Sequence, residues 1–452
     1  MKRTYNKLTA FVFLLALILT AIPAAAAPAT GGEKDYLENA DLIYLGSDYF
    51  AQEGEAIASA IASAKEGTYT VDAVPGAVLT GREDDSYVSR ADQLTNEDKR
   101  VLLVELPSQD LGEDPAWGSF DYTYDKTLCD TDTLIGALDY IFNVARDTEM
   151  VGVLVIPPTA EGDAYQELEA KARELQEKWG YLIIDLRDQD NPADVILTEL
   201  GDYLTTLRYN YKNMFIYAGN LPQFDPENYE TNPDSPLKGL NIIQLGSSVT
   251  FGSGSMENSF VEFIAQMTGS EYVKEAVPGT TMSNLATQAD TSYINRMLEN
   301  LDPEMHADLF LCQLSTNDAS KRVPLGEISD SEDPADYDLE TVAGAIQYII
   351  TYARDTWNCP IMFYTGTKYS NEAYGEMVDL LLQIQEKYDI GVIDMYHDLD
   401  TDVQLYNQYI SFDGIHPTKR GYGQWWAPYM VQQIEQYLAD TAGSEIQTEE
   451  AA

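Results

Sequence analysis

The chain has 452 residues, with 27 Lys and Arg against 75 Asp and Glu, three histidines, three cysteines and a formal net charge of −48 at pH 7. So acidic a chain repels nucleic acid and anionic membranes, which excludes both as partners and leaves neutral substrates, such as sugars and their esters, compatible. An odd cysteine count argues against a disulfide framework; Cys312 and Cys359, beside FLCQL and WNCPIMF, read as small buried residues, with a bridge between them as the alternative.

The first stretch, MKRTYNKLTAFVFLLALILTAIPAAAAPATGG, sets Lys2, Arg3 and Lys7 before an apolar run and the small residues Ala24 to Ala27. This is the layout of a secretory signal peptide, and cleavage after Ala26 fits best, so the mature chain is expected outside the cell. A retained membrane anchor is the alternative, for which the run is short. No later stretch is apolar enough to cross a bilayer. The remaining length predicts two domains of ordinary size.

Self-comparison then shows five blocks repeated in the same order. LIYLGSDYF (42–50) resembles IIQLGSSVTF (242–251), and VDAVPGAVLT (71–80) resembles KEAVPGTTMS (274–283). VLLVELPSQD (101–110) matches LFLCQLSTND (309–318), and the stretches 134–149 and 165–186 match 342–357 and 374–395. A tandem duplication follows, with a first copy over 35–212, a Pro-, Asn- and Asp-rich linker over 213–237, a second copy over 238–440 and an acidic tail over 441–452 that is expected to be disordered.

In the second copy LNIIQLG reads as a strand, ENSFVEFIAQM as a helix and DLFLCQL as a strand. TVAGAIQYIITYARDT has apolar residues at helical spacing. PIMFYTG is a strand, EAYGEMVDLLLQIQEKY a helix, IGVIDM a strand, and KRGYGQWWAPYMVQQIEQYL closes as a helix. Alternating short apolar strands and helices predict an α/β fold with a parallel sheet covered on both faces. Two such copies allow an intramolecular pseudo-dimer in which the first covers part of the second's rim.

Ligands of an open parallel sheet sit beyond the carboxyl ends of its strands. The polar residues there are Ser247 and Ser248 in GSSVTFG, Gly279 in PGTT, Asn317 in STND, and Asp413 and His416 in DGIHP. They are the parts needed for acyl transfer. A serine hydroxyl needs an adjacent base, which His416 can be, and Asp413 can hold the imidazole's tautomer. The Ser248 and Gly279 amides and the Asn317 side chain can meet the oxyanion. A glycine at 279 lets the backbone approach the substrate closely. Lys321 and Arg322, positive in an acidic chain, are candidates for holding a polar substrate, on a long rim loop (319–338) that has its counterpart at 111–133.

With these four blocks in order, the second copy resembles the SGNH, or GDSL, hydrolases over roughly 238–440. The resemblance implies a flavodoxin-like three-layer α/β/α fold and ester hydrolysis through an acyl-serine intermediate, with no metal and no cofactor. One departure is that the first block reads Gly-Ser-Ser where the family has Gly-Asp-Ser. Ser247 replaces the aspartate, which leaves open how the loop is held and keeps Ser247 as an alternative nucleophile.

In the first copy Asp48 stands at the serine position, Gln109 at the asparagine, Gly76 at the glycine, and no histidine is present. This copy is expected to be inactive and kept for packing, substrate binding or partner contact; cation binding at Asp48 lacks a second carboxylate pattern. His306 and His397 read as surface or packing residues, and Trp425 and Trp426 as core, with one able to flank the site. The expected function is a secreted serine esterase acting on a small acyl ester, foremost acetyl, on a carbohydrate. A lipase or lysophospholipase and a non-catalytic surface binding module are the alternatives.

Overall fold

The computed structural model describes residues 34–95, 100–208, 210–399, 409–410 and 413–451. The expected signal peptide, 1–26, lies outside the described residues. The chain divides into two compact units between Ala218 and Gly219.

The first unit is built on five parallel strands: β1 (Asp41–Gly46), β2 (Thr68–Ala73), β3 (Arg100–Glu105), β4 (Val151–Ile156) and β5 (Leu182–Asp185), in the order β2-β1-β3-β4-β5. The central strands β3 and β4, with VLLV and VGVLVI, are buried on both faces, as a parallel sheet under two helical layers demands. The edge strand β2 has only exposed and half-buried residues instead.

The second unit repeats this order with β6 (Asn241–Gly246), β7 (Glu271–Ala276), β8 (Leu309–Gln313), β9 (Ile361–Tyr364) and β10 (Gly391–Ile393), arranged β7-β6-β8-β9-β10 and all parallel. Successive strand residues point to opposite faces. Ile243, Leu245, Phe310, Cys312, Ile361 and Phe363 therefore pack against helices Tyr293–Asn300, Val342–Trp357 and Glu372–Tyr388. Ile242, Leu309, Leu311, Met362 and Tyr364 face Phe260, Ile264, Trp426 and Met430 on the other side. Each such buried side chain contributes roughly 1.5–3 kcal/mol. Both units are thus α/β, and the second is a three-layer α/β/α domain.

Local chemistry places the helix ends. Thr341 caps Val342–Trp357 by accepting from the Gly344 amide (3.2 Å), and Asn358 ends it in the left-handed region (φ 46°). The closing helix, expected as one uniform run, begins at Lys419–Gly421 and passes through a π turn at Tyr422–Trp426, which buries both Tyr422 and Trp426.

Two expectations are corrected. The helix Ala427–Ala451 runs through the acidic tail, whose Ala, Gln and Glu residues are good helix formers. The stretch read as a linker is folded: Asn213–Ala218 is a helix of the first unit, and Gly219 onward belongs to the second, with prolines opening two 3-10 turns at Pro222–Phe224 and Pro226–Asn228. All three cysteines are free.

Candidate active site

Strand β6 ends at Gly246, and the helical turn Ser248–Phe251 follows at once. Sequence left open how this loop is held without the family's aspartate; the answer lies at the end of β8. The Gln313 Oε1 accepts from the Ser247 amide (2.9 Å), the Thr250 hydroxyl (2.8 Å) and the Thr250 amide (3.3 Å). The Thr250 hydroxyl also lies 2.7 Å from the Tyr364 hydroxyl, and the Tyr422 hydroxyl donates to the Val249 carbonyl (2.6 Å). From the opposite side the buried Arg296 donates to the Gly246 carbonyl (2.8 Å) and to Glu275 Oε1 (2.9 Å). Buried polar groups in a network so fully satisfied are held rigidly.

The imidazole arrives from the other end of the unit. His416 Nε2 is 2.7 Å from Ser248 Oγ, and His416 Nδ1 is 2.5 Å from Asp413 Oδ2. The other carboxylate oxygen of Asp413 accepts from the amides of Ile415 (2.9 Å) and His416 (3.1 Å). One aspartate thus both shapes the turn and orients the ring, which is why the three-residue spacing matters. Ser248 is 7% exposed, enough for a small reactant to reach it. The backbone beside it must come close: a Cβ on Gly254 would lie 2.5 Å from the Pro417 carbonyl oxygen and 2.9 Å from His416 Cβ.

Ser247 is fully buried, and its hydroxyl lies 3.2 Å from Asn317 Nδ2 and 3.4 Å from Gln313 Oε1. The imidazole therefore meets Ser248, and Ser247 carries the contacts of a loop residue. Gly279 adopts φ 80°, in a turn anchored by Asp318, whose carboxylate accepts from the amides of Met282 (2.7 Å) and Ser283 (3.1 Å). Ser315 caps the short helix Thr316–Ser320, which fixes Asn317.

Lys321, a candidate for holding substrate, reaches the glycine turn. Its ammonium donates to the Gly279 carbonyl (2.6 Å) and to Gln288 Oε1 (2.6 Å), bracing the glycine turn. Partial burial lowers its pKa from the usual lysine value. Arg322 is exposed, at φ 55°, and its guanidinium has no protein partner among the described residues. His306 pairs with Asp308 (3.0 Å) and His397 with Asp394 (2.7 Å), and both rings are largely solvent-facing. Trp426 is core, whereas Trp425 is half-buried against Tyr409, ring centroids 5.3 Å apart.

Sequence reasoning missed three supports: Gln313, Arg296 and Asn220. Asn220, in the stretch read as linker, donates to the Gly254 carbonyl (2.8 Å) and accepts from the Lys419 amide (2.8 Å). Lys419 pairs with Asp225, and the Arg420 amide donates to the Gly219 carbonyl (2.9 Å). This strap holds the histidine loop against the serine loop. A repeat signal for Arg296 existed: SYVSR (86–90) matches SYINR (292–296), and Arg90 donates to the Gly46 carbonyl (2.9 Å) just as Arg296 does to that of Gly246.

Among the described residues no helix is long and apolar enough to cross a membrane, and no group of three or more His, Cys, Asp or Glu is arranged to hold a metal ion. No curated protein sequence matches the chain. Solved structures that resemble it include a GDSL-like lipase from Bacteroides ovatus (20% identity, 45% of this chain and 99% of that one, TM-score 0.33). Another is a family two carbohydrate esterase from Clostridium thermocellum, in complex with cellohexaose (16% identity, 45% and 66%, TM-score 0.34). Residues 245–424 match the model of the GDSL-like lipase/acylhydrolase family. That match spans every block of the site just described, so the second unit carries a domain similar to the GDSL-like lipase/acylhydrolase family.

Proposed function

We propose that the second unit is an exported serine esterase that removes a small acyl group, foremost acetyl, from a carbohydrate, and that the first unit is a degenerate copy. The reading rests on one observation: the line Ser248 Oγ, His416, Asp413, with spacings of 2.7 and 2.5 Å. A hydroxyl so paired transfers its proton to Nε2 as the oxygen attacks an ester carbonyl, while Asp413 stabilises the imidazolium. The tetrahedral intermediate collapses as Nε2 returns that proton to the leaving alcohol, which leaves acyl-Ser248. Water then gives a proton to Nε2 and attacks the acyl carbon. The acid is released and Ser248 regains its proton.

The developing oxyanion is met by the amides of Ser248 and Gly279 and by Asn317. The Asn317 amide has two protons, and the bond to Ser247 uses one, leaving the other for the substrate. Asn317→Ala is expected to lower kcat about 10²- to 10³-fold, with a smaller change in KM, because this donor acts on charge that exists only in the transition state. Steady-state kinetics on a soluble ester check this.

A small acyl group is supported by the small residues of the loops that carry the site: Gly252, Ser253, Gly254 and Ser255 after Ser248, and Gly279 and Thr280 in the glycine turn. A carbohydrate acceptor is supported by the acidity that turns away anionic surfaces, and export by the leader pattern. Hydrolysis of p-nitrophenyl esters of increasing chain length is expected to be fastest with acetate. A maximum at octanoate or beyond would contradict the small-acyl reading in favour of a lipase. Release of acetate from acetylated xylan, set against acetylated monosaccharides, tests the acceptor.

A further inference from the structure

The first unit retains the frame of the site but not its reactive pair. Asp110 accepts from the Leu79 amide (2.7 Å) and the Thr80 hydroxyl (2.6 Å), as Asp318 holds the glycine turn of the second unit. Arg90 braces the Gly46 carbonyl, and Glu105, at the position of Gln313, accepts from the amides of Ser47 (2.9 Å), Tyr49 (3.1 Å) and Phe50 (2.9 Å). Gly76 has φ 74°, close to the 80° of Gly279. The loops that would form an oxyanion site are therefore built and held.

What fills that site is the unit's own side chain. The Gly76 amide donates to Asp48 Oδ1 (2.7 Å), and Gln109 Nε2 donates to Asp48 Oδ2 (2.6 Å). These two donors stand where Gly279 and Asn317 stand in the second unit, and each takes one oxygen of the same carboxylate. Both bonds are short, as N–H donors to a carboxylate are.

We propose that the first unit holds a carboxylate-binding site closed in cis: Asp48 occupies it as a built-in acetate, so the site takes no external acyl or carboxylate ligand while Asp48 is present. Of the roles open to this unit, ligand binding at this rim is removed, and Asp48 becomes a clasp joining the loops after β1, β2 and β3. Take the carboxylate away, and two aimed donors remain around a space that fits a small carboxylate, with acetate as the probe. The inference is independent of the esterase reading, because it concerns donors and an acceptor within the first unit alone.

The test is hydrogen–deuterium exchange by mass spectrometry on the full chain, read on peptides covering 74–80 and 107–111, in sodium acetate against sodium chloride at equal ionic strength. The native chain is expected to show protection at both peptides that acetate does not alter. Asp48→Gly is expected to lose it, with exchange at least several-fold faster, and acetate is expected to restore it; Asp48→Ala serves the same purpose where the glycine variant is too unstable to purify. Acetate-dependent protection in the native chain would overturn the proposal, since the site would then be open. Native-like protection in both variants without acetate would also overturn it, as would failure of acetate to protect either one. Because the peptides lie in the first unit, the result stands apart from any effect of acetate on Ser248.

Discussion

Ser248→Ala is expected to lower kcat by about 10⁶-fold while leaving the fold intact. The side chain is nearly buried and small, so the exchange removes one oxygen and leaves the loop's anchors untouched. Those anchors are Gln313 and Thr250 on one side and Arg296 on the other, and none bonds through the Ser248 hydroxyl. Without the hydroxyl no acyl-enzyme forms, and what remains is water attack assisted by the oxyanion donors. Ser247→Ala should behave differently. It removes the partner of Asn317 Nδ2 and the long contact to Gln313, so a modest fall in kcat is expected, with covalent chemistry retained. Steady-state kinetics of the two variants, with circular dichroism as a check on folding, separate these outcomes.

The second large effect is expected at His416. His416→Ala removes the proton acceptor 2.7 Å from Ser248 Oγ and should cost kcat about as much as loss of the serine itself. The double variant Ser248→Ala/His416→Ala should be hardly worse than either single one, because the two groups act as a unit. Asp413→Ala is expected to cost less, about 10⁴-fold, because its share is orientation and stabilisation of the imidazolium. It will also loosen the turn, since the same carboxylate accepts the amides of Ile415 and His416. Asp413→Asn distinguishes these contributions: it can keep acceptors for the turn while withdrawing the negative charge. Full additivity of the serine and histidine losses would show that the two side chains do not cooperate.

The candidate site residues were legible in the sequence because an open α/β sheet brings the ends of its strands to one edge by construction. Ser248, Gly279 and Asn317 each follow a strand, and a single strand order carries them together. Asp413 and His416 were legible for a local reason, since a carboxylate three residues before an imidazole can serve turn and ring at once. The supports were harder to see. Gln313 ends an apolar strand and reads as one more strand residue; only the geometry shows its oxygen collecting three donors from the serine loop. Arg296 lies on a helix and resembles a surface charge, and its role emerges from a bond to a backbone carbonyl, which leaves no mark on composition. Gly219 and Asn220 sit in a stretch whose Pro, Asn and Asp content signals a linker, yet backbone pairing with Arg420 and Lys419 folds it into the second unit. Lys321 was singled out by its charge alone, and nothing in the sequence marked its bond to the Gly279 carbonyl. The acidic tail was read by its charge as disordered, but its helix formers extend the closing helix.

The most direct test of the account is covalent labelling by a fluorophosphonate, mapped by peptide mass spectrometry on the full chain. We expect a single adduct on the peptide carrying Ser248, retained in Ser247→Ala, abolished in Ser248→Ala and strongly slowed in His416→Ala. An adduct that persists in Ser248→Ala, or a native chain that takes no label while its ester hydrolysis proceeds, would contradict the claim that this hydroxyl is the nucleophile.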